Sequence, residues 1–168
     1  MSKLYIGIDP GLDGGVVVLD GDGSITMAGT MPTRKLVKGR RTDVEQLHEM
    51  LVDGWGSCRK AAILEDPGGH APSAAGLRSM SMSFATVETI LRLGGTPYHI
   101  VNPKTWQSAF WKRPKLPKGT KYDTKAAALE AARRIWPSED WTVGRGRKPH
   151  DGLIDAALIA EWGRRQGL

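Results

Sequence analysis

The feature that most constrains the fold is a pattern that occurs twice, in which a short apolar run ends on a carboxylate. Residues 4 to 8 end on Asp9, residues 61 to 64 end on Glu65, and a Pro-Gly pair follows each acid within three residues. Proline and glycine interrupt strands, so each acid is predicted to stand at the end of a strand. Sheets present functional groups at strand ends, which makes both acids candidates for chemistry.

The glycines that follow Asp9 allow two interpretations. Gly11, Gly14 and Gly15 leave the backbone bare, so an anionic group such as a phosphate can approach closely. A carboxylate and a phosphate repel each other unless a cation lies between them, and this interpretation therefore predicts a metal site. The alternative is a strand followed by a tight turn, with Asp9 as a turn former. This stretch alone does not separate the two.

The length of 168 residues predicts one domain that spans residues 1–168. No apolar run approaches the roughly 20 residues that a membrane span needs, so no membrane partner is expected. The N-terminus lacks the apolar segment of a signal peptide. Cys58 is the only cysteine and cannot form an intramolecular disulfide, which agrees with a cytoplasmic protein of a bacterial cell or a phage-infected host.

The chain is basic, and its positive charge is clustered. The formal net charge is +6 and the sequence pI is about 9.6. Residues 34–41 hold five basic side chains, and residues 112–121 hold another five. Clustered positive charge on a small domain indicates a nucleic-acid partner, although a solubilising surface would have a similar composition.

Hydrophobic periodicity and turn residues predict the element order β-β-β-α-β-α-β-α-α-α. This order is typical of an α/β domain with a mixed five-stranded sheet, in which the first three strands are antiparallel. Residues 31–41 are predicted to form an exposed loop, and residues 42–45 a capping box that opens a helix. A long helix is predicted over Ser73–Leu93, and the last helix from His150 or Asp151 to about Arg165.

The last helix carries a second pair of acids, Asp151 and Asp155. The i, i+4 spacing places both on one helix face, and an unpaired Asp155 would be costly among its apolar neighbours. Together with Asp9 and Glu65 they form an all-oxygen ligand set, which suits Mg²⁺ or Mn²⁺. Four carboxylates can hold two divalent ions, and two ions beside basic loops indicate phosphodiester hydrolysis of a nucleic acid.

Three motifs resemble the RuvC family of Holliday junction resolvases, in its small phage-encoded branch. They are the stretch 7–11 with Asp9, Glu65 at a strand end, and residues 150–160 with Asp151 and Asp155; the stretch 98–106 is also similar. The resemblance implies a ribonuclease H-like fold with helices on both faces of the sheet. It also implies a homodimer, two Mg²⁺ or Mn²⁺ ions per site and symmetric nicks in four-way DNA junctions. Asp9, Glu65, Asp151 and Asp155 match the metal-ligand positions.

The sequence departs from the family in two places. Its acidic pair is spaced i, i+4 where cellular members often use i, i+3, and Phe84 is followed by Ala-Thr-Val where the phage branch usually has glycines. His150 adjoins the acidic pair and is a candidate catalytic residue that donates a proton or holds a phosphate, or else a helix cap.

Charge, exposure and aromatic character give a further set of candidate DNA contacts. Phe84 is a candidate wedge at a junction centre, although at helical spacing it can equally belong to the core. Trp111 borders a basic loop and is a candidate for base stacking. The predicted DNA-contacting residues are Arg40, Arg41, Phe84, Trp111, Lys112, Arg113, Lys115, Lys118, Lys121, Arg145, Arg147 and Lys148.

The predicted function is metal-dependent cleavage of four-way DNA junctions by a homodimer. Leu77, Phe84 and Leu91 follow each other at seven-residue spacing on the long helix, which is the predicted dimer interface. One alternative is a ribonuclease H-like nuclease for RNA–DNA hybrids, flaps or other branched DNA. A second is a nucleotide-phosphate-binding domain of the actin and sugar-kinase type, and a third is a junction binder without activity.

Overall fold

The computed structural model describes residues 3–55, 58–68, 73–117 and 119–168, so the predicted DNA contact Lys118 lies outside it. The strands are β1 (Leu4–Asp9), β2 (Gly15–Leu19), β3 (Ile25–Thr30), β4 (Thr33–Lys35), β5 (Arg40–Thr42), β6 (Lys60–Glu65) and β7 (Tyr98–Val101). The helices are α1 (Val44–Leu51), α2 (Ala74–Leu93), α3 (Pro103–Ser108), α4 (Thr124–Ile135) and α5 (Asp151–Gln166), with a 3-10 turn at Asp53–Trp55.

Five strands form the main sheet in the order β3-β2-β1-β6-β7. The first three strands pair antiparallel with one another, whereas β6 runs parallel to β1 and β7 runs parallel to β6. Ile8 of β1 pairs with Leu64 of β6. Asp9 and Glu65 are the next residues on these two parallel strands, so they lie side by side at the same edge of the sheet. The predicted mixed five-stranded sheet is confirmed.

Helices cover both faces of this sheet, as predicted. Because side chains alternate along a strand, each strand contributes to two apolar clusters. Tyr5, Val17 and Ile63 pack with α3, α4 and α5 on one face. Ile6 and Val16 pack with α1 and α2 on the other. Among the described residues, no helix is both long and apolar enough to cross a membrane.

The stretch predicted as an exposed loop, 31–41, contains a hairpin formed by β4 and β5. Its strands pair Arg34 with Arg41 and Lys35 with Arg40, and Gly39 turns the chain with a φ of +79°. The hairpin has no alternation of apolar and polar residues, which is why the period-two signal of a strand was missing.

Helix α1 begins one residue later than the predicted capping box. Asp43 is the N-cap, and its carboxylate accepts a hydrogen bond from the Gln46 amide at 3.2 Å. Thr42 cannot cap the helix because it ends β5, and its hydroxyl lies 3.0 Å from the buried Ser83 hydroxyl of α2. The predicted start and end of α5 are confirmed within one residue.

The apolar stripe predicted on the long helix is divided between the core and the surface. Leu91 is fully buried, Phe84 is half-buried against the core, and only Leu77 is exposed. Leu91 therefore cannot belong to a dimer interface in this structure. The exposed apolar side chains of α2 are instead Leu77, Met82 and Leu93.

Candidate active site

Glycines bring α5 into direct backbone contact with the sheet. A Cβ on Gly7 of β1 would lie 2.0 Å from the Ala156 carbonyl oxygen, and one on Gly152 would lie 2.3 Å from the Asp13 carbonyl oxygen. Any side chain at either position would push the helix away from β1. This close approach sets Asp155, one turn into α5, beside the carboxyl end of β1.

Asp9, Glu65 and Asp155 form an inner cluster of half-buried carboxylates that repel one another. Burial, followed by the charge of Asp9, raises the pKa of Glu65 to about 8. Burial, followed by the charges of Asp9 and Asp151, raises the pKa of Asp155 to about 7. Burial also raises the pKa of Asp9, although the Gly11 amide opposes this shift. The charge of Asp9, at the end of β1, therefore acts on both Glu65, at the end of β6, and Asp155, one turn into α5.

Neutral N–H donors hold two of these acids. The Gly11 amide donates to the Asp9 carboxylate at 3.1 Å. The indole N–H of Trp106, a fully buried residue of α3, donates to the Glu65 carboxylate at 2.8 Å. Trp106 was not among the candidate site residues predicted from the sequence. The available signal was that a buried indole N–H needs an acceptor, and Trp106 follows the strand next to β6.

Asp151 lies at the rim of the site and has a cationic partner. Lys125, in the first turn of α4, forms an ion pair with the Asp151 carboxylate, and this contact raises the pKa of Lys125. The positive charge of Lys125 also opposes the upward pKa shift of Asp155. Lys125 was not among the sequence candidates, because nothing in a helical lysine indicates which acid it will meet.

His150 is the N-cap of α5, which is one of the two roles that the sequence left open. Its Nδ1 accepts a hydrogen bond from the Leu153 amide at 3.3 Å. A neutral ring that accepts at Nδ1 carries its proton on Nε2. In this state His150 can donate to an anionic group through Nε2, and neither ring nitrogen is available as a metal ligand.

An open cleft of about 570 Å³ lies over these residues. Its lining includes Asp9, Asp155, His150, Lys125 and Arg40. Gly11 also lines it, and a Cβ there would meet nothing closer than the Asp9 carboxylate at 3.4 Å. Gly14 and Gly15 have a different role from the predicted phosphate contact. A Cβ on Gly14 would meet the Asp9 carbonyl oxygen at 2.1 Å, and one on Gly15 the Gly152 carbonyl oxygen at 2.8 Å.

The basic DNA-contact candidates within the described residues are exposed. They are Arg40, Arg41, Lys112, Arg113, Lys115, Lys121, Arg145, Arg147 and Lys148. Trp111 is half-buried, with its ring edge-on to Trp106 at a centroid distance of 5.7 Å, and it lines a second surface cavity of about 360 Å³ with Lys112 and Arg113. The half-buried Phe84 packs against the α1–α2 cluster.

The acids fit a hard divalent cation by their chemistry. All four offer oxygen donors, and three of them are half-buried with like charges that a cation would compensate. Within the part of the chain that the structure describes, no three His, Cys, Asp or Glu side chains are close enough to share one ion. Asp151 is turned to Lys125 and Glu65 to Trp106, so a cation would have to draw these groups inward.

Comparisons with known proteins support the fold. No protein-family model matches the chain, and no curated protein matches it. A structure described as T. thermophilus RuvC in complex with Holliday junction substrate is similar, with a TM-score of 0.61 and 14% identity over 98% of this chain and 96% of that one. A Thermus thermophilus RuvC structure gives a TM-score of 0.56 at 17% identity, with the same coverage. The protein therefore has a ribonuclease H-like fold similar to that of RuvC.

Proposed function

We propose that this protein is a metal-dependent endonuclease that resolves four-way DNA junctions, of the phage-encoded RuvC type. The observation that carries the proposal is the inner cluster, in which half-buried acids from β1, β6 and α5 influence one another's charge and two of them, Asp9 and Asp155, line an open cleft. Buried, mutually repelling carboxylates are unfavourable in a structural core. Their convergence is accounted for by a function that needs cations at this point.

Asp9, Glu65, Asp151 and Asp155 would hold two Mg²⁺ or Mn²⁺ ions. Such ions supply an activated water and stabilise the leaving oxygen in phosphodiester hydrolysis. Other residues of the chain have supporting roles. Trp106 orients Glu65, Lys125 holds Asp151 at the rim, and the Nε2 hydrogen of His150 can donate to a phosphate oxygen.

Branched DNA is proposed as the substrate on two grounds. The exposed side chains of Lys112, Arg113, Lys115 and Lys121 and the exposed basic side chains of residues 145–148 suit a polyanion. The similar T. thermophilus RuvC structure is in complex with Holliday junction substrate. A four-way junction needs two opposed nicks and each chain holds one acidic cluster, so we propose a two-fold symmetric homodimer.

The glycine contacts weigh against the nucleotide-binding alternative. An actin or sugar-kinase site would use glycines after the first strand to hold phosphates. Here a Cβ on Gly14 would meet the turn and one on Gly15 would meet α5, so both glycines serve close backbone packing. A rise in the melting temperature on addition of ATP would support the nucleotide-binding alternative instead.

The decisive experiment compares cleavage of a four-way junction, an RNA–DNA hybrid, a flap and a linear duplex, each with Mg²⁺, Mn²⁺ or EDTA. We expect metal-dependent cleavage with the junction cut fastest. Asp155→Asn should be inactive, whereas Asp22→Asn, an exposed acid in the β2–β3 turn, should match the wild type. If the hybrid or the flap is cleaved faster than the junction, that substrate is the preferred one. Cleavage by Asp155→Asn at the wild-type rate would contradict the assignment of the active site.

The paired-site proposal is tested with a cruciform extruded from a supercoiled plasmid. A single nick relaxes the plasmid and removes the cruciform, so only two nicks within one bound lifetime give linear product. We expect mostly linear DNA. Accumulation of nicked circles, together with a monomer in sedimentation, would show that the two sites do not act together.

A further inference from the structure

The β4–β5 hairpin places like charges opposite each other beside the candidate active site. Arg34 pairs with Arg41 and Lys35 with Arg40 across the two strands, and Lys38 lies in the turn. Like charges directly opposite each other destabilise a hairpin, and isolated two-stranded hairpins are already marginal. Such an arrangement is favourable when a polyanion lies along it, because phosphates then compensate the repelling cations.

Acidic side chains compensate only part of this charge. Arg40 forms an ion pair with Asp13, and the Arg34 guanidinium lies 3.9 Å from the Glu45 carboxylate. Within the described ranges, no ion pair involves Lys35, Lys38 or Arg41, and all three are exposed. Three cations therefore remain available to an external anion.

The hairpin is fixed to the active-site region at two points. At its base, the hydroxyl of Thr42 lies 3.0 Å from the buried Ser83 hydroxyl of α2. Nearer its tip, Arg40 is tied to Asp13 in the turn that follows Asp9, and both residues line the cleft. DNA that occupies the cleft would consequently meet the hairpin.

The tip of the hairpin is apolar, which is unusual for a turn. Leu36 is 45% exposed and Val37 is fully exposed, where turns normally carry Gly, Asn, Asp or Ser. Proteins that open or kink DNA insert apolar side chains between base steps while basic residues hold the flanking phosphates. The hairpin combines both components in the short segment from Thr33 to Thr42.

We propose that the β4–β5 hairpin is a DNA-binding finger for branched DNA. Lys35, Lys38 and Arg41 hold phosphates beside the cleft, and Leu36 and Val37 press against bases that are unstacked at the branch point. The finger rests on the proposed function in its substrate, but its role is separate from cleavage. The acidic site is responsible for cleavage, whereas the hairpin tip distinguishes branched from linear DNA.

The test uses a four-way junction that carries 2-aminopurine, a fluorescent base quenched by stacking, next to the branch point. Binding is measured in EDTA so that the strands stay intact. We expect wild-type protein to raise the fluorescence at saturation. The double variant Leu36→Ser with Val37→Ser should lose most of this rise, and its preference for junction over duplex should fall by about tenfold, because it no longer stabilises unstacked bases.

A matched control separates the tip from apolar exposure in general. Leu116→Ser with Val143→Ser removes two exposed apolar side chains of the same residue types, 38% and 40% exposed, from the two basic loops. This variant should keep both the fluorescence rise and the preference for the junction. Wild-type fluorescence and preference in the tip variant, or an equal loss in the control variant, would overturn the role of the tip.

Removing the basic side chains of the hairpin should change binding in a different way from removing its apolar tip. Lys35→Ala, Lys38→Ala and Arg41→Ala together should weaken binding to junction and duplex alike and flatten the salt dependence, by about 0.9 in log–log slope per lost contact. The fluorescence rise at saturation should persist, and an unchanged slope would overturn the phosphate contacts. Cleavage of the junction by the wild-type protein is measured separately. Absence of cleavage would contradict the proposed function, whereas wild-type binding by the hairpin variants would contradict the role of the hairpin alone.

Discussion

The inner carboxylates and the rim carboxylate of the site have different environments. Asp9, Glu65 and Asp155 are half-buried, and each has its pKa raised chiefly by burial. Asp151 is half-exposed and forms an ion pair with Lys125. Over the described ranges, no basic side chain forms an ion pair with any of the inner three. The inner cluster therefore depends on an external cation, whereas Asp151 has a compensating charge within the chain.

The largest expected effect separates these two groups by cleavage rate. Asp9→Asn, Glu65→Gln or Asp155→Asn should each lower kcat by at least ~10²–10³-fold, because each removes a ligand of the proposed ions, whose positive charge would stabilise the reacting phosphate. Asp151→Asn should cost only ~10–100-fold, as for a supporting contact. Junction binding should be unchanged or tighter in all four variants. Single-turnover kinetics measures the cleavage rate and a binding assay measures the affinity for the junction. An equal loss of cleavage rate in all four variants would show that the inner and rim acids do not differ in role.

The second effect concerns the neutral donor that holds Glu65. Trp106→Phe keeps a buried ring but removes the hydrogen bond to Glu65, so Mn²⁺ affinity or kcat should fall by ~10–100-fold. Trp136→Phe is the matched control, since the Trp136 indole donates at the same 2.8 Å to the Gly23 carbonyl, away from the acids. Titration of Mn²⁺ by calorimetry reports the affinity directly. A similar loss in both variants would point to general destabilisation.

The third effect is a pH-dependent stability of the metal-free protein. The pKa of Glu65 is about 8 when folded and 4.5 at its ordinary value, so between these values the folded state binds the extra proton. Stability should therefore fall as the pH rises through this window. In EDTA, Glu65→Gln should melt at the wild-type temperature at pH 5. At pH 8.5 it should melt roughly 2–8 °C higher, corresponding to ~1–2 kcal/mol.

The rim acid provides the control for that measurement. Asp151→Asn removes a carboxylate that is already paired with Lys125, so it should not stabilise the protein at pH 8.5. Mg²⁺ or Mn²⁺ should raise the wild-type melting temperature more at pH 8.5 than at pH 5. Equal stabilisation by both variants would show that the inner cluster does not carry the repulsion.

The smallest expected effect concerns exposed lysines outside the acidic site, which are proposed to contact DNA without taking part in cleavage. Replacing Lys112, Lys115 and Lys121 by Ala should weaken junction binding and lower the log–log salt slope by up to about 0.9 per contact. Cleavage at saturating DNA should be unchanged, because these exposed lysines lie outside the cleft lining. An unchanged salt slope would show that this loop faces away from the DNA.

The sequence alone determined the sheet and the positions of its two strand-end acids. Apolar runs interrupted by Pro and Gly are local signals, so β1 and β6 and the acids that close them could be predicted without knowing what packs on them. The i, i+4 spacing of Asp151 and Asp155 is local in the same sense. Hydrophobic periodicity and turn residues predicted the order of the main elements, and the resemblance to RuvC implied the ribonuclease H-like fold, which the structure confirms.

Only the tertiary structure decided what surrounds each acid. Trp106 reaches Glu65 because β7 lies next to β6, and Lys125 reaches Asp151 because α4 packs beside α5. The glycines at positions 7 and 152 acquire their role only when α5 lies on β1, and the β4–β5 hairpin forms without any apolar alternation. Burial, pairing and close approach depend on residues far apart in the chain, whereas sequence periodicity reports only on neighbours.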